Sequence, residues 1–106
     1  MNSPALYQRR ATARDLHYFA HPELWPHRPF LPVTRQALGA RERQCGLLYD
    51  ARGVSGQYGF GCTVFLVNLY ALPATEAEFL AQPRCVYDTF DQLADDGWSV
   101  DVRSVG

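Results

Sequence analysis

Three histidines, His17, His21 and His27, stand close together in this chain, and with a cysteine such a group could ligate zinc through imidazole nitrogen and thiolate sulfur. His17 and His21 are four residues apart and share a face if a helix extends that far. His21, however, precedes Pro22, which pushes it out of a helix, and no Cys-x-x-Cys or matching second half completes a zinc pattern. Boundary and surface histidines are therefore expected, with no metal and no other cofactor. The cysteines, Cys45, Cys62 and Cys85, offer a different chemistry: a thiol that meets a histidine in space can act as a nucleophile. Cys62 and Cys85 sit in apolar, strand-like sequence where a buried, protonated thiol is expected, which leaves Cys45 as the candidate. No local signature supports catalysis, so no catalytic residue is assigned and the balance leans away from an enzyme.

Residues 53–61 carry four glycines in nine positions, a density that implies positive φ angles, a bulge or close backbone approach. Phosphate loops need the amides and dipole of a following helix, and here an apolar strand-like run follows instead. A hairpin or bulged crossover is the expectation, although Arg52 and Tyr58 could hold a small ligand beside its amides. Residues 25–32 contain overlapping Pro-x-x-Pro spacing with Trp25, Phe30 and Leu31, a pattern that resembles the ligands of aromatic-grooved adaptor domains. The same large side chains could equally tuck the segment against its own fold. Asp88, Asp91, Asp95 and Asp96 cluster around a helix start, where the helix dipole accounts for the first two without any chemistry.

The elements that position these residues are organised around residues 62–72, the most apolar and β-prone stretch. Both alternating faces of that stretch are apolar, which is the signature of a strand covered on both sides, interior to a sheet. Asn68 is its one strongly polar side chain and must find hydrogen bonds, either from backbone at a bulge or strand end or from a ligand. Upstream, Ser3 and Pro4 open a predicted helix over residues 4–20, and the prolines at 22, 26, 29 and 32 then enforce extended, irregular chain. Strands are predicted at 33–38, where residues 35–38 could equally open a helical turn, and at 45–50. Downstream, Thr75 with Glu78 and Thr89 with Gln92 have capping-box spacing, predicting helices to about Gln82 and to Gly97, with a strand at 84–88 between them. Residues 98–103 alternate Trp98, Val100 and Val102 with polar positions and read as an edge strand, with Trp98 anchored in the core.

The predicted fold is a single α+β domain, residues 1–106, with an antiparallel or mixed sheet of four to five strands and short helices on one side. Residues 1–32 supply its N-terminal helix and proline-aromatic segment, and residues 33–106 its sheet-forming region. A hydrophobic fraction of 47% and a charged fraction of 20% suit a folded domain and argue against disorder. The net charge of −1 gives no field for nucleic acid, and the total use of arginine over lysine reads as coding bias. No apolar run is long enough to span a bilayer, and arginines interrupt any leader-like core near the start. The odd number of cysteines fits reduced thiols, so a cytoplasmic location is expected.

Two functional expectations follow. The first is an interaction or accessory module without catalytic activity, recognising a protein partner or its own copy through strand pairing at 98–103 and through Trp25, with Arg28 as a charged anchor. The second is a ligand-binding or enzymatic domain whose pocket brings His17, His21 or His27 together with Arg52, Tyr58 or Cys45.

Overall fold

Helix α1, Ala13–Ala20, begins where the Thr12 hydroxyl accepts the Asp15 N–H and the Asp15 carboxylate accepts the Thr12 N–H, a reciprocal capping box. Thr12 is extended, with φ −105° and ψ 175°, so the helix cannot run through it from residue 4 as the Ser3-Pro4 signal predicts. The helix ends at His21, ahead of a short 3₁₀ turn at Pro22–Leu24. The computed structural model describes residues 12–36, 41–50 and 62–101; Ser3, Pro4, Arg52, Tyr58, the glycine-rich stretch, Val102 and Arg103 lie outside them.

Among the described residues, five strands form one antiparallel sheet: β1 Phe30–Arg35, β2 Gln44–Tyr49, β3 Cys62–Phe65, β4 Arg84–Tyr87 and β5 Ser99–Val100. Their order is β4-β3-β2-β1-β5, which places β3 in the interior as its apolar sequence requires. Strand β1 starts within the proline segment, earlier than the predicted residue 33, and includes Pro32 opposite Leu47. Pro32 tolerates this position because its missing donor lies on the β5 side: its carbonyl accepts the Asp101 N–H at 3.0 Å, just where β5 ends. Between the last strands lie α2, Glu76–Leu80, and α3, Phe90–Asp95, whose N-caps Thr75 and Thr89 accept the N–H groups of Glu78 and Gln92. Gly97 follows α3 with φ 96°, the left-handed conformation that glycine adopts without strain.

Strand alternation divides the core between the two sheet faces. On one, Leu31, Val33, Leu48, Val64 and Val100 pack with Phe19 of α1, with Leu93 and Ala94 of α3, and with Trp25 and Trp98. On the other, Leu47, Tyr49 and Phe65 pack with Phe79 of α2, with Phe30 and Leu80 at the margin. The expected gathering of helices on one side thus describes α1 and α3, while α2 takes the opposite face. Trp98 is fully buried, and its ring reaches over Gly46, where a Cβ would lie 2.5 Å from Val64 Cγ1 and 3.0 Å from Trp98 Cη2. Among the described residues, no helix is long and apolar enough to cross a membrane.

The stretch 62–72 departs most from expectation. Strand pairing stops at Phe65, and Asn68 then caps a 3₁₀ turn at Leu69–Ala71. Asn68 is exposed, and its Oδ1 accepts the Tyr70 N–H at 2.9 Å, so its hydrogen bond goes to backbone beyond the strand end. Tyr70, expected on a strand face, is 90% exposed.

Candidate functional site

The histidine-bearing segment is only partly assembled. The His17 and His21 rings meet at a centroid separation of 4.2 Å, tilted by 32°, and the His21 Nδ1–H donates to the His17 carbonyl at 2.7 Å. His27 is exposed on a turn, where its carbonyl accepts the Phe30 N–H at 2.9 Å. Among the described residues no three His, Cys, Asp or Glu side chains converge as a metal-binding group. Trp25, expected at a partner surface, is 6% exposed and donates its indole N–H to the Tyr18 carbonyl at 2.6 Å, which makes it a core residue. The ring that the proline segment carries is therefore spent on the protein's own fold.

Edge pairing along 98–103 meets a similar obstacle within the described residues. Asp101 faces β1 through its N–H, so strand alternation turns the Val100 N–H outward, where it donates to Asp15 Oδ1 at 3.2 Å. A partner strand approaching β5 at this position finds that donor already taken by α1.

The remaining expected site residue among those described, Arg28, immediately precedes Pro29, which lines a cleft that sequence reasoning missed. This cleft, of about 320 Å³, is lined by Pro29, Phe30, Tyr49, Leu72, Pro73, Ala74, Thr75, Glu76 and Phe79. Its floor comes from the sheet face under α2. Phe30 and Tyr49, opposite each other across β1 and β2, stack at 5.7 Å, and Phe79 meets them at 5.1 and 5.4 Å. Phe65 closes the cluster from beneath, 4.4 Å from Phe79. One wall is the tail from Leu72 to Ala74, in which Leu72 is 38% exposed. Pro73 fixes the backbone of that wall, and Thr75 starts the helix that delivers Phe79.

The electrostatics of the cleft are acidic. Arg28 pairs with Asp50 through Nη2 at 3.2 Å and Nε at 3.3 Å, next to Tyr49 and tied to Pro29, whose carbonyl accepts the Asp50 N–H. Glu76 lies on the rim, exposed, and makes no ion pair among the described residues. The Tyr49 phenol is held above its ordinary range, first by burial and then by the negative charges of Glu76 and Asp50.

A smaller cleft of about 250 Å³ lies on the other side of the same wall, lined by Pro32, Val33, Cys45, Gly46, Asn68, Leu69, Tyr70 and Asp101. Cys45 is exposed there, and no histidine lines that cleft, so the thiol–imidazole pair it was a candidate for is not formed at that site. Cys62 and Cys85, expected to be buried, are half-buried.

A polar cluster on the opposite sheet face also invites a chemical reading. Arg35 donates from Nη1 to Asp96 Oδ2 at 2.8 Å and from Nε to Gln44 Oε1 at 2.8 Å, with its guanidinium 4.4 Å from the Trp98 ring. The Tyr87 hydroxyl donates to Asp96 and accepts the Trp98 indole N–H at 3.0 Å. Tyr87 is held well above the ordinary phenol range, by burial first and by its bond to Asp96 second. The groups satisfy one another, which is the chemistry of a locked core and not of a site awaiting a ligand.

The aromatic cleft went unseen because its parts are scattered. Phe30 belongs to the proline segment, Tyr49 to a predicted strand, and Leu72 to a run read as continuous β. The one usable signal was Asn68, a residue that favours caps and turns, followed by Pro73. Compared with known proteins, the chain matches no family model, and neither a curated protein nor a solved structure matches it.

Proposed function

We propose that this protein is a binding module whose recognition site is the aromatic cleft between β1, β2 and the wall from Leu72 to Phe79. The observation that carries this reading is the fate of the apolar run at 66–72. The chain leaves Leu72, just past the turn held by the Asn68 cap, exposed on the wall of a cleft lined by Phe30, Tyr49 and Phe79. Large apolar side chains scattered over a surface need no explanation, but apolar residues rimming a concave aromatic site fit recognition of another chain. Its lining, mostly apolar with a few polar groups, suits a short peptide segment. The interaction-module expectation is retained in kind, with its contact surface moved from Trp25 and strand 98–103 to this cleft.

Selection of an unbiased displayed-peptide library on the immobilised protein tests it. Enriched peptides are expected to bind the wild type and to lose binding to Leu72→Asp, a substitution at an exposed position that leaves the melting temperature unchanged. Enrichment of nothing, or of peptides that bind Leu72→Asp equally well, overturns the reading.

A further inference from the structure

At a surface separate from that cleft, we infer that strand β4 pairs with β4 of a second copy of this chain, antiparallel about a twofold axis at Val86, with Arg84 of each copy opposite Asp88 of the other. β4 ends the strand order beyond β3. The Leu66 N–H donates to the Pro83 carbonyl at 2.8 Å, so Pro83 faces β3. Alternation then turns the backbone groups of Cys85 and Tyr87 toward β3 and those of Arg84 and Val86 outward. Val86 is 65% exposed, and nothing among the described residues bonds to its outward N–H and C=O. The other edge differs, since Asp15 takes the outward Val100 N–H of β5. An edge with open backbone groups is a template for another strand.

The sequence of β4 selects its own copy as that strand. A twofold axis at Val86 lets each Val86 N–H donate to the Val86 carbonyl of the other copy, a reciprocal pair, and the two exposed side chains cover each other. Residues 84, 86 and 88 share one face, so the same register sets the exposed Arg84 against the exposed Asp88 on both sides of the axis. Shifting the axis to Cys85 puts Arg84 opposite Val86 and loses both charge pairs. The Arg84 guanidinium donates to the Leu80 carbonyl, which holds it on the α2 face with its charge intact. The next outward donor, the Asp88 N–H, is taken by the exposed Gln92 side chain at 3.0 Å, so backbone pairing centres on Val86 and side chains make the contact at 88. A strand of four residues gives a small contact, so the pairing is transient and concentration-dependent.

Sedimentation velocity of the full chain up to about 1 mM, the range that a small contact calls for, tests the pairing. A dimer that grows with concentration is expected. Val86→Pro removes an outward N–H that β3 does not use, and should abolish the dimer while thermal melting shows the fold retained. Arg84→Asp and Asp88→Arg each set like charges on both sides of the axis and should weaken self-association about 10-fold. An equimolar mixture of those two variants should restore association as a mixed dimer, because every facing pair in it is again of opposite sign; this decides the matter even if Val86→Pro unfolds. Leu72→Asp should dimerise as the wild type does. A wild type that stays monomeric at about 1 mM overturns self-pairing, whatever foreign strand the edge accepts. A dimer that survives Val86→Pro, a mixture that associates no better than either charge variant alone, or a dimer lost in Leu72→Asp likewise overturns it.

Discussion

Replacing Asp15 with alanine removes two unrelated supports at once. Its Oδ2 accepts the Thr12 N–H at 2.8 Å and completes the cap of α1, while its Oδ1 accepts the outward Val100 N–H at 3.2 Å and seals the β5 edge. Loss of a helix N-cap interaction costs about 0.5–2 kcal/mol. A buried donor left without a partner costs about 1–3 kcal/mol, and the lower half applies because the Val100 bond is only partly buried. Together these give about 2–3 kcal/mol, which at roughly 4 °C per kcal/mol for a domain of this size lowers the melting temperature by about 8–12 °C. Urea unfolding followed by tryptophan fluorescence measures the free energy, because Trp25 and Trp98 both lie in the core. Two variants separate the contributions. Thr12→Ala removes only the cap and should cost about 1 kcal/mol. Asp15→Asn keeps an amide oxygen for Val100 and should fall near Thr12→Ala. Hydrogen exchange adds a local reading: the Val100 amide should exchange faster in Asp15→Ala and stay protected in Asp15→Asn. If Asp15→Ala matches Thr12→Ala within about 0.5 kcal/mol with Val100 still protected, the edge seal carries no energy and the reasoning fails.

The other expectations concern the core and its pH dependence. Gly46→Ala drives a Cβ to within 2.5 Å of Val64 Cγ1, a stiff β-branched neighbour, and should destabilise by about 1–3 kcal/mol in the same unfolding assay; a neutral result would mean that the Trp98 ring and Val64 move aside. Trp25→Ala should cost about 3–5 kcal/mol as a core deletion, whereas Tyr70→Ser should stay within about 0.5 kcal/mol, and a reversed order in thermal melts would undo the division between core and ridge. Tyr87 holds its proton more tightly when folded than the roughly pH 10 value of an unfolded tyrosine, so the stability it contributes is full below pH 10 and lost as the pH rises through its folded value. Urea midpoints measured from pH 8 to beyond pH 10 should therefore fall less steeply for Tyr87→Phe, even though that variant starts lower for want of its hydrogen bonds; parallel curves would contradict the assignment.

Legibility followed the range of the interactions. Thr75, Thr89 and Gly97 announce local backbone geometry, and each does in the fold what its type dictates. Trp98 was legible as a core anchor because it begins an alternating run. Thr12 was passed over in favour of Ser3 although the Asp15 carboxylate three residues on makes the reciprocal pair, since aspartate is a less familiar third member of a capping box than glutamate. Trp25 shows the limit of composition: the same Pro-x-x-Pro context fits a ligand of another protein and a segment folded on its own helix, and only the Tyr18 carbonyl decides between them. Arg35, Asp96, Tyr87 and Trp98 were beyond reach altogether, because a network that joins residues 61 positions apart is a product of the topology.

The length of α2 explains why the fold leaves a cleft at all. The face under α1 and α3 is closed by two helices, the Trp25 and Trp98 rings and a self-satisfied polar cluster. The opposite face carries a comparable aromatic surface, yet its helix is five residues long and supplies Phe79 as its fully engaged ring. One short helix covers the centre of a sheet face and not its flanks. Among the described residues the chain between Phe65 and Thr75 adds a wall beside it, with a 3₁₀ turn at Leu69–Ala71. The clefts on either side of this wall are the geometric consequence, and Tyr70 and Leu72 are exposed because the wall stands between them. Lengthening α2 would run into Pro83, and flattening the turn would forfeit the Asn68 cap. Among the described residues the form of this wall is thus set by Asn68, Pro73 and the stop at Pro83, which cap the turn, fix the backbone and cut α2 short.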